Sequence, residues 1–130
     1  MSAAVEQHAR AHVVTEADTE DLRAIPVDLR YDPAAAPRSV RLSFPEAPGA
    51  PAHDWVFARE LLEKGLRGPA ASGDVRVWPC GRAGAVVELH SPDGVALIQF
   101  DTSTLLRFLR RTHAAAGRGG TAPRTAGRTT

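Results

Sequence analysis

The chain has 130 residues, 43% of them hydrophobic and 24% charged, and its formal net charge is +1. This length suits one domain that folds without disulfides or metals, and a single cysteine, Cys80, excludes an intramolecular disulfide. The small net charge excludes a chain that binds nucleic acid or anionic lipid through bulk charge. Residues 1–14 lack the pattern of a secretory signal and no apolar run is long enough to span a membrane, so we expect a cytoplasmic protein without membrane insertion.

The first half of the chain alternates polar and apolar residues, which is typical of strands with one buried face. Strands are predicted over 8–14, 25–31, 40–44 and, for a short one, 54–57. The strands over 25–31 and 40–44 are expected to pair antiparallel, because only a short break beginning at Asp32-Pro33 separates them. Residues 45–52 contain three prolines and a glycine and are predicted to form a loop.

A helix is predicted next, around Phe57, Leu61 and Leu62, which recur at helical spacing. Gly65 is well placed to end this helix as the residue just beyond its last turn, a position that favours glycine. Pro69 follows shortly after and cannot continue a helix.

The second half repeats this order. Val75 and Val77 alternate with Arg76 and Trp78 and predict a strand. Residues 85–90 and 95–100 are apolar-rich runs separated by Ser91-Pro92-Asp93-Gly94, in which proline sets φ and glycine accepts a positive φ. This is the strongest hairpin signal in the chain.

A second helix is predicted from Asp101, as its cap, through Thr112. Leu105, Phe108 and Leu109 form its buried stripe. The order strands, helix, strands, helix predicts an α+β fold with an antiparallel sheet in two strand-rich halves, each followed by one helix.

The domain organisation follows from these elements. Residues 1–7 are expected to be a loose N-terminus and residues 8–113 a single domain. Residues 114–130 lack both acids and large apolar side chains, which predicts a disordered basic tail. Residues 28–33 resemble residues 88–93, which suggests an internal duplication.

The residue types that carry out catalysis do not fall into a catalytic pattern. His8 and His12 would share a face only on a helix, whereas their segment favours a strand and offers no third metal ligand. His53 lies in a loop, and Cys80 has no predicted partner base and is expected to be a small buried residue. We therefore expect no enzyme, no metal and no cofactor.

Two groups of residues are candidate interaction surfaces. Arg76 and Trp78 share one strand face, either as a stacking platform for single-stranded nucleic acid or, as we favour, as a face packed against a neighbouring subunit. On the second helix Arg107, Arg110 and Arg111 either dock an acidic partner segment or simply cover apolar surface with their stems while solvated.

Several segments, taken as a set and in their order, resemble the SsgA-like proteins, a sporulation and cell-division family of filamentous spore-forming actinobacteria. The resemblance covers about residues 5–113 and is carried by residues 25–33, 40–45, 55–62, 73–79, 87–94 and 105–112.

The resemblance implies a non-enzymatic role in sporulation and septum placement, at division septa in the cytoplasm. The implied partners are the tubulin-like ring protein FtsZ, another SsgA-like protein and further copies of the same chain. The implied fold is Whirly-like, with a repeated ββββα unit, and is oligomeric, with about three subunits. Because Whirly proteins bind single-stranded nucleic acid, binding of that ligand is the alternative function.

Overall fold

The computed structural model describes residues 4–14, 23–44, 54–92 and 94–119. The described elements form two successive runs of four strands and one helix. They are β1 (Val5–Val14), β2 (Arg23–Tyr31), β3 (Ser39–Ser43), β4 (Trp55–Ala58), α1 (Arg59–Gly65), β5 (Ala70–Ser72), β6 (Val75–Cys80), β7 (Gly84–Ser91), β8 (Gly94–Asp101) and α2 (Thr102–Gly119).

All eight of these strands belong to one antiparallel sheet, in the order β4-β3-β2-β1-β8-β7-β6-β5. Each run of four is a meander, and the two meanders meet where β1 pairs with β8. That seam is short, since it consists of the residue pairs His12–Gln99, Val13–Ile98 and Val14–Leu97. The predicted α+β class with an antiparallel sheet is confirmed, whereas the Whirly-like character and the oligomer stay predictions.

The sheet has an inner face, which carries the core, and an outer face. Strand β2 shows the division, because Ile25, Val27, Leu29 and Tyr31 are at most 2% exposed. The residues between them, such as Arg30, project from the outer face. The alternation in the sequence therefore located both the strand and its buried side.

Helix α2 packs on the inner face along the central strands β1 and β8. Its predicted stripe is confirmed, since Leu105 and Phe108 are fully buried and Leu109 is 5% exposed. Helix α1 contacts β4 at one end of the strand order and also β5 and β6 at the other. The sheet must therefore curl until its two ends lie on either side of α1.

Gly65 has a different role from the predicted one. It is the last residue of α1 rather than the residue beyond it, and Leu66 follows as the C-cap with ordinary right-handed angles. Gly65 is buried, and a Cβ built on it would overlap Cβ and Cγ1 of Val77 on β6. Glycine is needed here because the helix backbone approaches the strand closely. Phe57, placed in the helix by its spacing, lies in β4.

Both ends of the ordered region extend further than predicted. Strand β1 begins at Val5, so residues 5–7 belong to the sheet and are not loose. Helix α2 continues to Gly119, and residues 114–119 of the predicted tail are helical. The reason is that alanine is the best helix former and Ala115 is fully buried. Residues 120–130, the loop over 45–52 and His53 lie outside the described residues.

The hairpin of the second half is confirmed. Ser91 faces Gly94 across the β7–β8 ladder, and Gly94 takes the positive φ, at 137°, that the turn signal predicted. The suggested overlay of residues 28–33 on 88–93 is wrong, because β2 is the second strand of its run and β7 is the third. Neither helix in the described part of the chain is both long and apolar enough to cross a bilayer.

Candidate functional site

The solvent-facing side of α2 carries the predicted arginines. Arg107, Arg110 and Arg111 are all exposed, whereas the residues between them that face the sheet, Phe108 and Leu109, are buried. At 100° per residue, Arg107 and Arg110 lie nearly opposite the buried stripe. We call these three arginines the α2 basic face.

Within the described ranges, the α2 basic face has no carboxylate within 4.0 Å. The ion pairs of those ranges join other residues. Arg111 donates instead to Oε1 of the buried Gln7 on β1, at 3.2 Å, and Gln7 donates through Nε2 to the carbonyl of Thr104, at 3.0 Å. Gln7 thus fixes Arg111, while Arg107 and Arg110 are directed toward solvent. Sequence reasoning did not single out Gln7, because a polar residue at an alternating strand position has no recognisable signal.

An apolar residue stands beside these arginines. Leu106 is 41% exposed, whereas the other leucines within the described ranges are buried or half-buried, and it lies one turn before Arg110. The helix turns Leu106 away from the core, although Leu105 beside it is fully buried. The surface therefore offers positive charge together with apolar contact area.

Arg76 and Trp78 lie together on the outer face of the sheet, as predicted. Val77 between them faces inward against α1, so both side chains project away from the helices. Trp78 is opposite Val86 and Arg76 is opposite Glu88 on β7. Val86 is only 5% exposed even though it lies on the outer face, and Trp78 is itself half-buried. An aromatic residue opposite a β-branched one is a stabilising cross-strand pair, so Trp78 already packs within its own chain.

The two candidate surfaces are not brought together. Arg76 and Trp78 project from the outer face, whereas α2 covers the inner face and turns its arginines outward from there. The sequence placed each group correctly on its element but did not establish that the sheet separates them.

Further apolar side chains lie on the outer face of β8 and β1, which are two and three strands away from Trp78 on β6. Leu97 of β8 pairs with Val14 of β1 and with Glu88 of β7, and Val95 lies opposite His90. Val95 is 57% exposed, while Val14 and Leu97 are half-buried. We call Val14, Trp78, Val95 and Leu97 the outer apolar row.

Three histidines contact carboxylates, and each does so in a different place. His8 Nδ1 is 2.5 Å from Asp28 Oδ1 between β1 and β2. His90 contacts Glu88 on β7, and His113 joins α2 to Glu63 of α1. His8 and His12 form no pair, in keeping with their strand. The separate locations give no shared catalytic constellation among the described residues.

Cys80 corrects one expectation. It is exposed at the end of β6, where Gly81 turns the chain with a φ of 70°. The predicted burial is wrong because Cys80, two positions after Trp78, lies on the outer face at the end of its strand, away from α1.

A cleft with a volume of about 420 Å³ lies at the ends of β1, β2 and β3. Its lining mixes the apolar Val5 and Val56 with the paired Glu6 and Arg30. Histidine and cysteine are missing from this lining, so among the described residues the cleft offers neither a thiol nor an imidazole base.

Comparison with known sequences gives a consistent result. The family described as "Streptomyces sporulation and cell division protein, SsgA" matches residues 25–120. The chain is 49% identical over 105 residues to the sporulation-specific cell division protein SsgB of Salinispora tropica, which covers 76% of this chain and 73% of that protein. It is 39% identical over 107 residues to the SsgB of Streptomyces coelicolor, covering 80% and 77% respectively.

Two solved structures are similar as well. A structure from work on SsgB mutations that correlate to longitudinal cell division during sporulation of Streptomyces coelicolor has a TM-score of 0.77 and 37% identity, covering 88% of each chain. An SsgA-like sporulation-specific cell division protein from Thermobifida fusca has a TM-score of 0.70 and 27% identity, covering 91% of this chain and 85% of that one.

Proposed function

Because the chain belongs to the SsgA family of sporulation and cell-division proteins, we propose that it is a non-enzymatic factor that helps to place division septa during sporulation. It would do so at the septum, in the cytoplasm, by binding other proteins. The relatives named above are called sporulation-specific cell division proteins, and this name is the starting point for the proposal.

The observation that carries the proposal is the α2 basic face. Arginines three and four positions apart on a helix repel one another, and each such like-charge pair costs a few tenths of a kcal/mol. On α1, by contrast, the exposed Glu60 and Lys64 form an i,i+4 ion pair at 3.7 Å. An unpaired basic face beside the exposed Leu106 therefore favours a partner that supplies the missing carboxylates.

The partner chemistry follows from the side chains. Arginine forms bidentate bonds with carboxylates and is enriched at protein interfaces, whereas the leucine adds apolar contact. We propose that the occupant is an acidic protein segment with an apolar residue among its acids. The division-ring protein FtsZ, or another SsgA-like protein that acts with it, is the proposed source of this segment.

We propose self-association as well, through the outer apolar row. Val95 in particular exposes apolar area that a neighbouring copy would cover. A specific interface buries about 1,000 Å² or more in total, which is within reach for a sheet face of this size. The trimer and the Whirly-like fold are proposed for this chain on the same resemblance.

The outer face does not support the alternative function of binding single-stranded nucleic acid. Trp78 is the residue on which a base would have to stack, but it is half-buried beside Val86. Arg76 stands opposite Glu88, so the phosphate-binding charge of this region is partly offset.

The decisive experiment compares two triple charge reversals of equal size. The first is Arg107→Glu, Arg110→Glu and Arg111→Glu. The matched control is Arg38→Glu, Arg67→Glu and Arg82→Glu, because those arginines are also exposed but lie in turns outside α2. Both variants change the net charge by the same amount. Binding to purified FtsZ is measured by co-sedimentation, and a fluorescent fusion reports localisation in the sporulating host.

We expect the α2 reversal to lose FtsZ binding and septal localisation while the control retains both. Because Arg111 also contacts Gln7, a double variant that keeps Arg111 separates loss of binding from loss of folding. An α2 variant that folds normally and still localises to septa would overturn the proposed surface.

A further inference from the structure

We propose that Glu6, His8 and Asp28 form a Zn²⁺ site on the outer face of the sheet. One donor atom from each residue, a carboxylate oxygen or an imidazole nitrogen, lies within 4.8 Å of the other two. Imidazole and carboxylate donors suit Zn²⁺, and three protein ligands with one open position are an established zinc arrangement.

The backbone fixes this juxtaposition. Glu6 and His8 are two residues apart on β1 and therefore share a face. Asp28 is the residue directly opposite His8 on β2, so the register of the β1–β2 ladder sets its position. Two of the ligands lie two positions apart on one strand, and the third lies across the ladder. The ligand backbone therefore belongs to the sheet and not to a loop, which makes it as rigid as the sheet.

Small movements would complete the coordination. Zinc–ligand distances of about 2.1 Å place tetrahedral donors roughly 3.4 Å apart, so the donors must close in by little more than 1 Å. Nδ1 of His8 and Oδ1 of Asp28 are only 2.5 Å apart, so this pair must instead open by about 0.9 Å to reach the same spacing. Glu6 and His8 are exposed, and their side chains have room to turn.

Two neighbours bear directly on this site. The guanidinium of Arg30 contacts the two carboxylates that the metal ion would bind, since its Nη2 is 3.2 Å from Oε2 of Glu6 and 3.7 Å from Oδ2 of Asp28. Its side chain is 46% exposed and can swing into solvent. On the other side of Asp28 lies Ser43, whose hydroxyl is buried and has no hydrogen-bond partner in the described structure. That hydroxyl is a spare donor beside a metal-bound carboxylate, the type of second interaction that orients zinc ligands.

The position suggests what the metal would do. Beyond the seam with β8, the N-terminal part of β1 is paired with β2 only. A Zn²⁺ ion held by Glu6, His8 and Asp28 would cross-link these two strands where the ladder lacks a second neighbour. Most structural zinc sites have four protein ligands, so water would complete the coordination here. We infer that the ion would nonetheless act as a cross-link that stabilises the start of β1, and this inference does not depend on the proposed function.

The test measures zinc affinity by competition with a chromophoric chelator, using the full chain. Four proteins are compared: wild type, His8→Ala, Arg30→Gln and the control His12→Ala. His12 is on the same strand and face but has no carboxylate contact among the described residues. Circular dichroism in the absence of metal confirms that each variant is folded.

We expect His8→Ala to weaken zinc binding by at least about tenfold, in the range seen when metal sites lose supporting groups. His12→Ala should bind like wild type. Arg30→Gln should bind more tightly, because it removes the guanidinium that competes for both carboxylates. This gain distinguishes the site from chance binding at another histidine or at Cys80, which Arg30 does not touch.

Three results would overturn the proposal. They are wild-type protein that does not compete with the chelator, equal losses in His8→Ala and His12→Ala, and an Arg30→Gln variant that binds no better than wild type. As a second measurement, histidine ring resonances should shift on zinc addition for His8 and stay constant for His12.

Discussion

Replacing Gly65 with alanine tests how α1 is seated on the sheet. The added methyl would overlap Cβ and Cγ1 of Val77 and would lie 3.0 Å from the carbonyl oxygen of Val77. Cβ of Val77 is fixed to the strand backbone, so no rotamer change relieves the overlap, and Val77 is fully buried. Overpacking of this kind typically costs 1–3 kcal/mol of stability. Because Cβ of Val77 cannot move, we expect a cost at the upper end, about 3 kcal/mol.

Part of that cost is offset by helix propensity. Alanine is preferred over glycine by up to about 1 kcal/mol inside a helix, so we expect a net loss near 2 kcal/mol. At roughly 4 °C per kcal/mol for a chain of this size, the Tm should fall by about 8 °C. Calorimetry or urea unfolding measures this change directly.

The matched control is Gly117→Ala in α2. Apart from its chain neighbours and the backbone of its own helix, no heavy atom lies within 4 Å of a Cβ built on Gly117, so only the helix-propensity gain applies. The same substitution is therefore expected to stabilise one helix by a few tenths of a kcal/mol and to destabilise the other. If Gly65→Ala is neutral or stabilising, the close approach of α1 to β6 is refuted.

Three further predictions concern the core, the helix contacts and the thiol. Because Phe108 is buried and Leu106 is exposed, Phe108→Ala should lower the free energy of unfolding by about 3–5 kcal/mol, whereas Leu106→Ala should change it by less than roughly 0.5 kcal/mol. Urea unfolding measures both changes, and equal losses would contradict the orientation of α2. Arg59→Gln removes a guanidinium 5.4 Å from the ring centre of Tyr31 and should lower the free energy of unfolding by about 1 kcal/mol. Urea unfolding measures this change, and a neutral result would show that the contact does not stabilise the fold. Cys80 should react with a thiol reagent in the native protein, and reaction only after denaturation would show that it is buried.

Period-two alternation made most of the strands predictable. Strand β2 alternates without interruption, because one of its faces is buried by the helices and the other faces outward. Helix ends were harder to place. Phe57 has helical spacing to Leu61, yet it lies in a strand, since β4 pairs with β3 before the helix starts. Ala115 gave no signal for a buried helical position because alanine is small enough to fit almost anywhere.

The candidate surfaces were predictable only as sets of residues. Spacing alone put Arg107 and Arg110 on the exposed side of α2, and alternation put Arg76 beside Trp78. Their separation by the sheet depends on how the meanders curl, which no local pattern encodes. The Glu6, His8 and Asp28 cluster depends on the β1–β2 register across about twenty residues, and that register is a property of the folded sheet.

The short seam between β1 and β8 has a consequence for how the molecule folds. His12 and Gln99 are partners in the seam although 87 positions separate them (99 minus 12). Each four-stranded meander can form from neighbouring segments, but their junction has to wait for a long chain closure, which makes it the kinetically expensive step. During synthesis, the first meander would thus remain without its β8 neighbour until that last strand leaves the ribosome. In this interval the edge of β1 is open to pairing with other chains.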